Sequence, residues 1–188
     1  MAGGAQGAAR AALPSPPRIA LRPATEVTAE ERRRIDDLER EALVGEPVDD
    51  YEWIADYAWY VLVEVDGELV STLGMVERLA TVGGRLVRLG GIGNVATLPA
   101  WRGRGLARAA LARAVEFVRD VRGVEFCLLF CEPHRISFYR QLGWQPIDGP
   151  LTFQQPSGPV VYPGAALVLP CTGRVWPGGP VDLCGLPW

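Results

Sequence analysis

Metal-binding side chains are scarce in this sequence. Among 188 residues there is one histidine, His134, and four cysteines, Cys127, Cys131, Cys171 and Cys184, none of them in a Cys-x-x-Cys pair. That excludes the usual zinc spacings, and no metal site is expected. A chain of this length needs no disulfide staples, so the thiols read as reduced core or surface groups of a cytoplasmic protein. No apolar run is long enough to span a bilayer. The stretch 1–17, MAGGAQGAARAALPSPP, lacks the continuous apolar segment of a secretory signal. A basic surplus is missing too. The formal net charge is -3, which argues against nucleic acid as the main partner and suits a cationic one.

What is present fits one soluble domain: 48% hydrophobic residues supply a core, and 22% charged residues supply a surface. Residues 1–17 are low in complexity and end in prolines, so they are expected to form a disordered arm. Order is expected from Arg18, with a short strand at Ile19–Leu21. Thr28 and Glu31 match a capping box that starts a helix running to about Leu43 and stopping near Gly45 and Pro47. Tyr60 to Val65, the turn Asp66-Gly67 and Leu69 to Leu79 read as a hairpin. A second turn at Gly83-Gly84 leads into Leu86 to Leu98. That strand is interrupted by Gly90, Gly91 and Gly93, which signals a bulge or a close backbone approach.

Further along, Leu111, Ala114, Val115 and Val118 mark the apolar face of an amphipathic helix. Val124 to Cys131 reads as a strand buried on both faces. A short helix from about His134 to Leu142 should stop at Gly143, with Trp144 opening a strand and Ala165 to Leu169 forming the last one. Strands first and alternating elements later indicate an α+β domain with a mixed sheet. The tail 171–188 is rich in Gly and Pro yet carries Val175, Trp176, Leu183, Leu186 and Trp188, so it is expected to dock on the body.

The chemistry concentrates in GNVATLPAWRGRGLA, residues 93–107. A strand ends there, a Gly/Arg loop follows and a helix begins. Free N–H groups and the helix dipole make such a junction an anion site. Gly103 and Gly105 let the backbone approach a phosphate, while Arg102 and Arg104 add charge. Neither Gly-x-Gly-x-x-Gly nor Gly-Lys-Ser/Thr is present, and the pattern alone is equally compatible with a structural turn.

Val95-Ala96-Thr97 followed by Arg102-x-x-Gly105-x-Ala107 resembles the acetyl-CoA pyrophosphate motif of GNAT acetyltransferases. Phe138-Tyr139-x-x-Leu142-Gly143-Trp144 resembles their later motif. The resemblance covers roughly residues 18–170. It implies a GNAT fold: a mixed, largely antiparallel central sheet, splayed between strands 4 and 5 and flanked by helices, with acetyl-CoA in the gap. By the same resemblance Val95, Ala96 and Thr97 pair with the pantetheine arm, and Arg102, Gly103, Arg104, Gly105, Leu106 and Ala107 hold the pyrophosphate. A backbone N–H near Val95 serves as oxyanion donor, and Tyr139 is the acid for the leaving thiolate. The partner implied is a small-molecule amine; neither nucleic acid nor membrane is expected, and a homodimer is left open.

Within that superfamily the chain is most similar to the aminoglycoside 2′-N-acetyltransferases. The carrying features are Ala42-Leu43-Val44-Gly45-Glu46, the Trp101-Arg102-Gly103 core and the terminal Trp188. The resemblance implies substrate contacts from Glu46, Asp182 and the Trp188 carboxylate, with the tail on the acceptor cleft. Glu41, Glu46, Asp49, Asp50 and Glu52 cluster after the first helix, and Trp53, Tyr57, Trp59, Trp176 and Trp188 are candidates for stacking on sugar rings. One departure stands out. The family's water-mediated base falls at Gly93, beside Asn94, so the base is left among Glu77, Glu46, Asp182 and the terminal carboxylate. Cys131 as nucleophile and His134 as base are lesser candidates, with helix-start packing the alternative for both.

Overall fold

A computed structural model describes residues 13–45 and 51–188. The expected N-terminal arm therefore falls largely outside the described residues, as do Glu46, Asp49 and Asp50. Leu13 packs on the core, five residues ahead of the first strand.

The chain runs β1 (Arg18–Pro23), α1 (Ala29–Ala42), β2 (Trp59–Val65), β3 (Glu68–Val82), β4 (Arg85–Thr97), α2 (Leu106–Asp120), β5 (Phe126–Cys131), α3 (Ile136–Arg140), β6 (Gln145–Pro146), β7 (Leu151–Gln155), β8 (Gly158–Val161), β9 (Ala165–Pro170) and β10 (Val181–Asp182). The strands join one mixed sheet. Its path is β6-β9-β5-β4-β3-β10-β7-β8, with β2 also on β3 and β1 on β2. All pairings are antiparallel except β4 with β5 and β10 with β7. This is the α+β GNAT architecture expected from the sequence.

Alternation sets the two faces. In β2, Tyr60 and Leu62 meet Ile35, Leu38 and Ala42 of α1, while Val61 and Val63 face the other way onto α2. The capping box at α1 is complete: the Glu31 N–H donates to Thr28 Oγ1 at 3.1 Å and the Thr28 N–H donates to Glu31 Oε2 at 3.0 Å. From α2, Leu106, Ala110, Leu111, Ala114, Phe117 and Val118 are buried. Burying an aliphatic side chain of this kind stabilises the fold by about 1.5–3 kcal/mol.

Three strands are additional to those read from the sequence: β7, β8 and the two-residue β10. The last strand is β10, not Ala165–Leu169. It inserts between β3 and β7 and brings the tail onto the sheet. The short helix is also tighter than expected. Pro133–Arg135 form a 3-10 turn, and only Ile136–Arg140 are α-helical before Gly143 turns the chain at φ 89°.

Candidate active site

The parallel pairing of β4 with β5 covers only Leu89–Ile92 against Phe126–Leu129. Beyond Ile92 the two strands part. β4 stays on β3 to Thr97, and β5 stays on β9 to Cys131. At the point of parting, β4 carries a bulge in which Asn94 and Val95 stand opposite Leu73 alone, with Asn94 at φ 46°. A bulge re-aims backbone groups, here at the mouth of the gap.

Two cavities open there. One, of about 350 Å³, is lined by Val95, Ala96, Thr97, Arg102, Gly103, Gly105, Leu106 and Ala107, together with residues from the end of α1, from α2 and from α3. The other, of about 190 Å³, runs along Gly93, Asn94, Phe130, Glu132, Tyr162 and Trp188. Leu43, Val95, Arg135 and Tyr139 line both.

The first cavity ends on the start of α2. Gly105 caps this helix at φ 85°, and no side chain caps it, so the first-turn N–H groups stay available to an anion. The Arg102 guanidinium ties the loop in place. Its Nε donates to Thr97 O at 3.2 Å and its Nη2 to Ala42 O at 2.7 Å, linking the end of β4 to the end of α1. Arg104 departs from the sequence expectation: it lies 4.9 Å over the Trp101 ring and donates to Ala100 O, and it does not line the cavity. Arg108 and Arg135 line it instead. Arg108 was legible as the i+4 neighbour of Arg104, whereas Arg135 carried no motif signal.

Tyr139 sits where the cavities meet and is 5% exposed. Burial, with the Cys131 thiol beside it, pushes its pKa up, against a smaller opposing pull from Arg135. The phenol therefore keeps its proton across the neutral range.

Residues 24–147 match the family described as acetyltransferase (GNAT) domain. The chain belongs to the GNAT acetyltransferase family. It is accordingly an acetyltransferase domain, and acetyl-CoA is the co-substrate that goes with that family. No curated protein matches it in sequence. In fold it is similar to the GNAT N-acetyltransferase YhbS of Escherichia coli in complex with CoA, at 17% identity and TM-score 0.59, over 93% of this chain and 94% of that one. It is also similar to a GNAT acetyltransferase of Brucella melitensis in complex with acetyl-CoA, at 16% identity and TM-score 0.58, over 87% and 94%. Eis1 of Mycobacterium abscessus aligns at 24% identity and TM-score 0.54 over 69% of this chain. The chain spans only 32% of that protein's length.

The smaller cavity of this GNAT domain carries several aromatic rings. The Trp188 indole stacks on Phe130 with centroids 5.1 Å apart and donates from Nε1 to Ile92 O at 3.3 Å. Tyr162 packs on the same Phe130 ring, with centroids 4.8 Å apart. Glycines make the room: a Cβ at Gly91 would overlap the Trp188 ring, and one at Gly93 would overlap the Tyr57 hydroxyl. The Tyr57 ring lies over Gly74, which pairs with Gly93 across the strands.

Among the other candidates Cys131 lines the smaller cavity, whereas Glu77 and His134 line neither. Burial would raise the Glu77 carboxyl, but hydrogen bonds from Arg88 and Arg122 outweigh it and hold the carboxyl below its ordinary value. The group lines neither cavity. Asp182 accepts the Cys184 N–H at 2.8 Å in β10, which pairs with the Val82 end of β3, away from the bulge. Burial pushes the Cys131 thiol up to about 11, so it is not a thiolate nucleophile at neutral pH. His134 is exposed on its turn and lines neither cavity. Trp59 packs on Phe117 and Trp176 on Phe126, so both are core rather than sugar platforms. Glu46 lies outside the described residues.

Proposed function

We infer that this chain moves the acetyl group of acetyl-CoA to a primary amine of a small cationic acceptor, an aminoglycoside-type amino sugar, by direct attack. The observation that carries the transfer is Tyr139, a buried protonated phenol shared by two cavities. The bound thioester supplies the electrophilic carbonyl. The loop Arg102–Ala107 and the uncapped first turn of α2 suit the pyrophosphate, and the edge Val95–Thr97 suits the pantetheine arm. The Val95 N–H at the bulge suits the developing oxyanion. Tyr139 gives its hydroxyl proton to the departing sulfur and regains one from the attacking nitrogen.

Support for a cationic amino sugar comes from Glu132 in the wall of the smaller cavity. Carboxylates attract polycations and raise their association rate. Trp188 in the same wall supports a contact between the tail and the acceptor. A second reading has its own observation. Phe130, Tyr139, Tyr162 and Trp188 give the described wall an aromatic patch, which favours an acceptor with an apolar body behind its amine, such as an arylalkylamine or a peptide N-terminus. One incubation separates the two: acetyl-CoA with a mixed panel of aminoglycosides, polyamines, aromatic amines and peptides, read by thiol release and mass spectrometry. An acetylated amino sugar is expected. Acetylated aromatic amines or peptides beside untouched aminoglycosides would replace the first acceptor class with the second.

A further inference from the structure

Position 93 supplies no carboxylate, and the space a side chain would take there is filled by the Tyr57 hydroxyl. A carboxylate nevertheless reaches this point from another element. Glu39 lies in the last turns of α1, one turn ahead of Ala42 and Leu43, which line the cavities. Its Oε2 accepts from Asn94 Nδ2 at 3.0 Å. Glu39 itself lines neither cavity; Asn94, its partner, lines the smaller one and precedes Val95 in the bulge. The second oxygen, Oε1, is buried and has no hydrogen-bond partner among the described residues. An unpaired buried oxygen is costly in a structural role, yet it is what a proton acceptor must keep free.

We propose that Glu39, held by Asn94 at the mouth of the splay, is the proton acceptor for the acceptor's ammonium group, replacing from α1 the carboxylate that β4 lacks. The proposal rests on the acetyl-transfer reading above. The balance is simple. One ammonium proton passes to Glu39 through a water in the cavity, and the freed nitrogen pair attacks the thioester carbonyl. The C–S bond then breaks. The second nitrogen proton replaces the one Tyr139 gives to sulfur, and Glu39 releases its proton to solvent.

The groups facing Glu39 suit this task. Arg32 and Asp36 flank it on α1, Tyr57 approaches from the segment before β2, Tyr60 from β2 and Asn94 from β4. The Arg32 guanidinium is itself engaged by Tyr60 Oη at 2.6 Å. Burial raises the carboxyl to about 7, with Asp36 adding to the rise and the Asn94 hydrogen bond and Arg32 opposing it. A base with a pKa near the working pH is the efficient case.

The test is the pH profile of kcat/KM for the acceptor at saturating acetyl-CoA. In the native protein the rate rises with pH through about 7, as Glu39 loses its proton. Glu39→Gln keeps the shape and still accepts from Asn94. It is expected to lower the rate at high pH by roughly 10²-fold, the usual size of a general-base effect, with acetyl-CoA affinity unchanged. Asn94→Ala removes a donor that favours the carboxylate, so its limb moves to higher pH. A purely structural Glu39 would give no such displacement. An NMR titration of carboxyl-labelled glutamates, assigned by the signal missing in Glu39→Gln, decides the matter without turnover. A native-like profile for Glu39→Gln, or a Glu39 carboxyl titrating in the ordinary glutamate range, overturns the proposal. Absence of turnover with every amine, beside a Glu39 signal titrating near 7, would instead overturn the transfer reading.

Discussion

The Tyr139 phenol combines three properties that rarely meet by accident: burial, a retained proton and a place in the wall of two adjoining cavities. Its ring is held edge-on by Phe138 at 5.0 Å and by Trp144 at 6.2 Å, so removing the hydroxyl alone leaves the packing in place. Tyr139→Phe should therefore lower kcat by roughly 10²-fold while acetyl-CoA affinity, measured by calorimetry, stays near the native value. A fully active variant would leave Tyr139 as a packing residue only. At this scale the sequence is informative where a motif fixes the neighbours and silent where it does not. Tyr139 and the loop glycines are readable from local spacing. Glu39 is not: an acid on the exposed-looking side of a helix gains its meaning from Asn94, which is 55 positions away. The surroundings of Glu77 and Asp182 were hidden for the same reason, since their partners Arg88, Arg122 and the Cys184 N–H become apparent only in three dimensions.

Among the elements, β4 carries most of the design. It pairs with β5 up to Ile92, bulges at Asn94 and Val95, and turns its last residues to the first cavity. The glycines in this strand announce close approach in the sequence, but what approaches is set by the fold: Trp188 from the far end of the chain at Gly91, and Tyr57 at Gly93. This arrangement gives an expectation contrary to simple repair. Gly93→Glu places a carboxylate where the sequence resemblance expects a base, yet the new Cβ overlaps the Tyr57 hydroxyl. Overpacking of this kind costs about 1–3 kcal/mol. The variant should melt at a lower temperature and gain no activity, and Tyr57→Ala in the same chain should recover part of the loss. A Gly93→Glu protein that is as stable as the native one and more active would contradict this account of the strand.

For the whole molecule, the order of the long elements was legible because hydrophobic period, a capping box and glycine turns agree from Arg18 to Cys131. The short strands β7, β8 and β10 were not, because two to five residues carry too little pattern. Those strands lie in the part of the chain beyond residue 147, where the family match ends. The smaller cavity, which the proposed function gives to the acceptor, draws Tyr162 and Trp188 from this same region, so acceptor choice is expected to be set by residues outside the shared acetyltransferase body. The central claim concerns that body: acetyl-CoA lies in the gap between β4 and β5, with its phosphates at the start of α2. Calorimetry with acetyl-CoA tests it most directly, on the native chain and on Arg102→Glu with Arg108→Glu, the two loop and helix guanidiniums that line the cavity. Native binding should be clear, and the double variant should lose at least about tenfold, because each lost charge-assisted hydrogen bond costs about 1.5–3 kcal/mol. Equal affinity in both proteins, or no binding to the native chain, would contradict the placement.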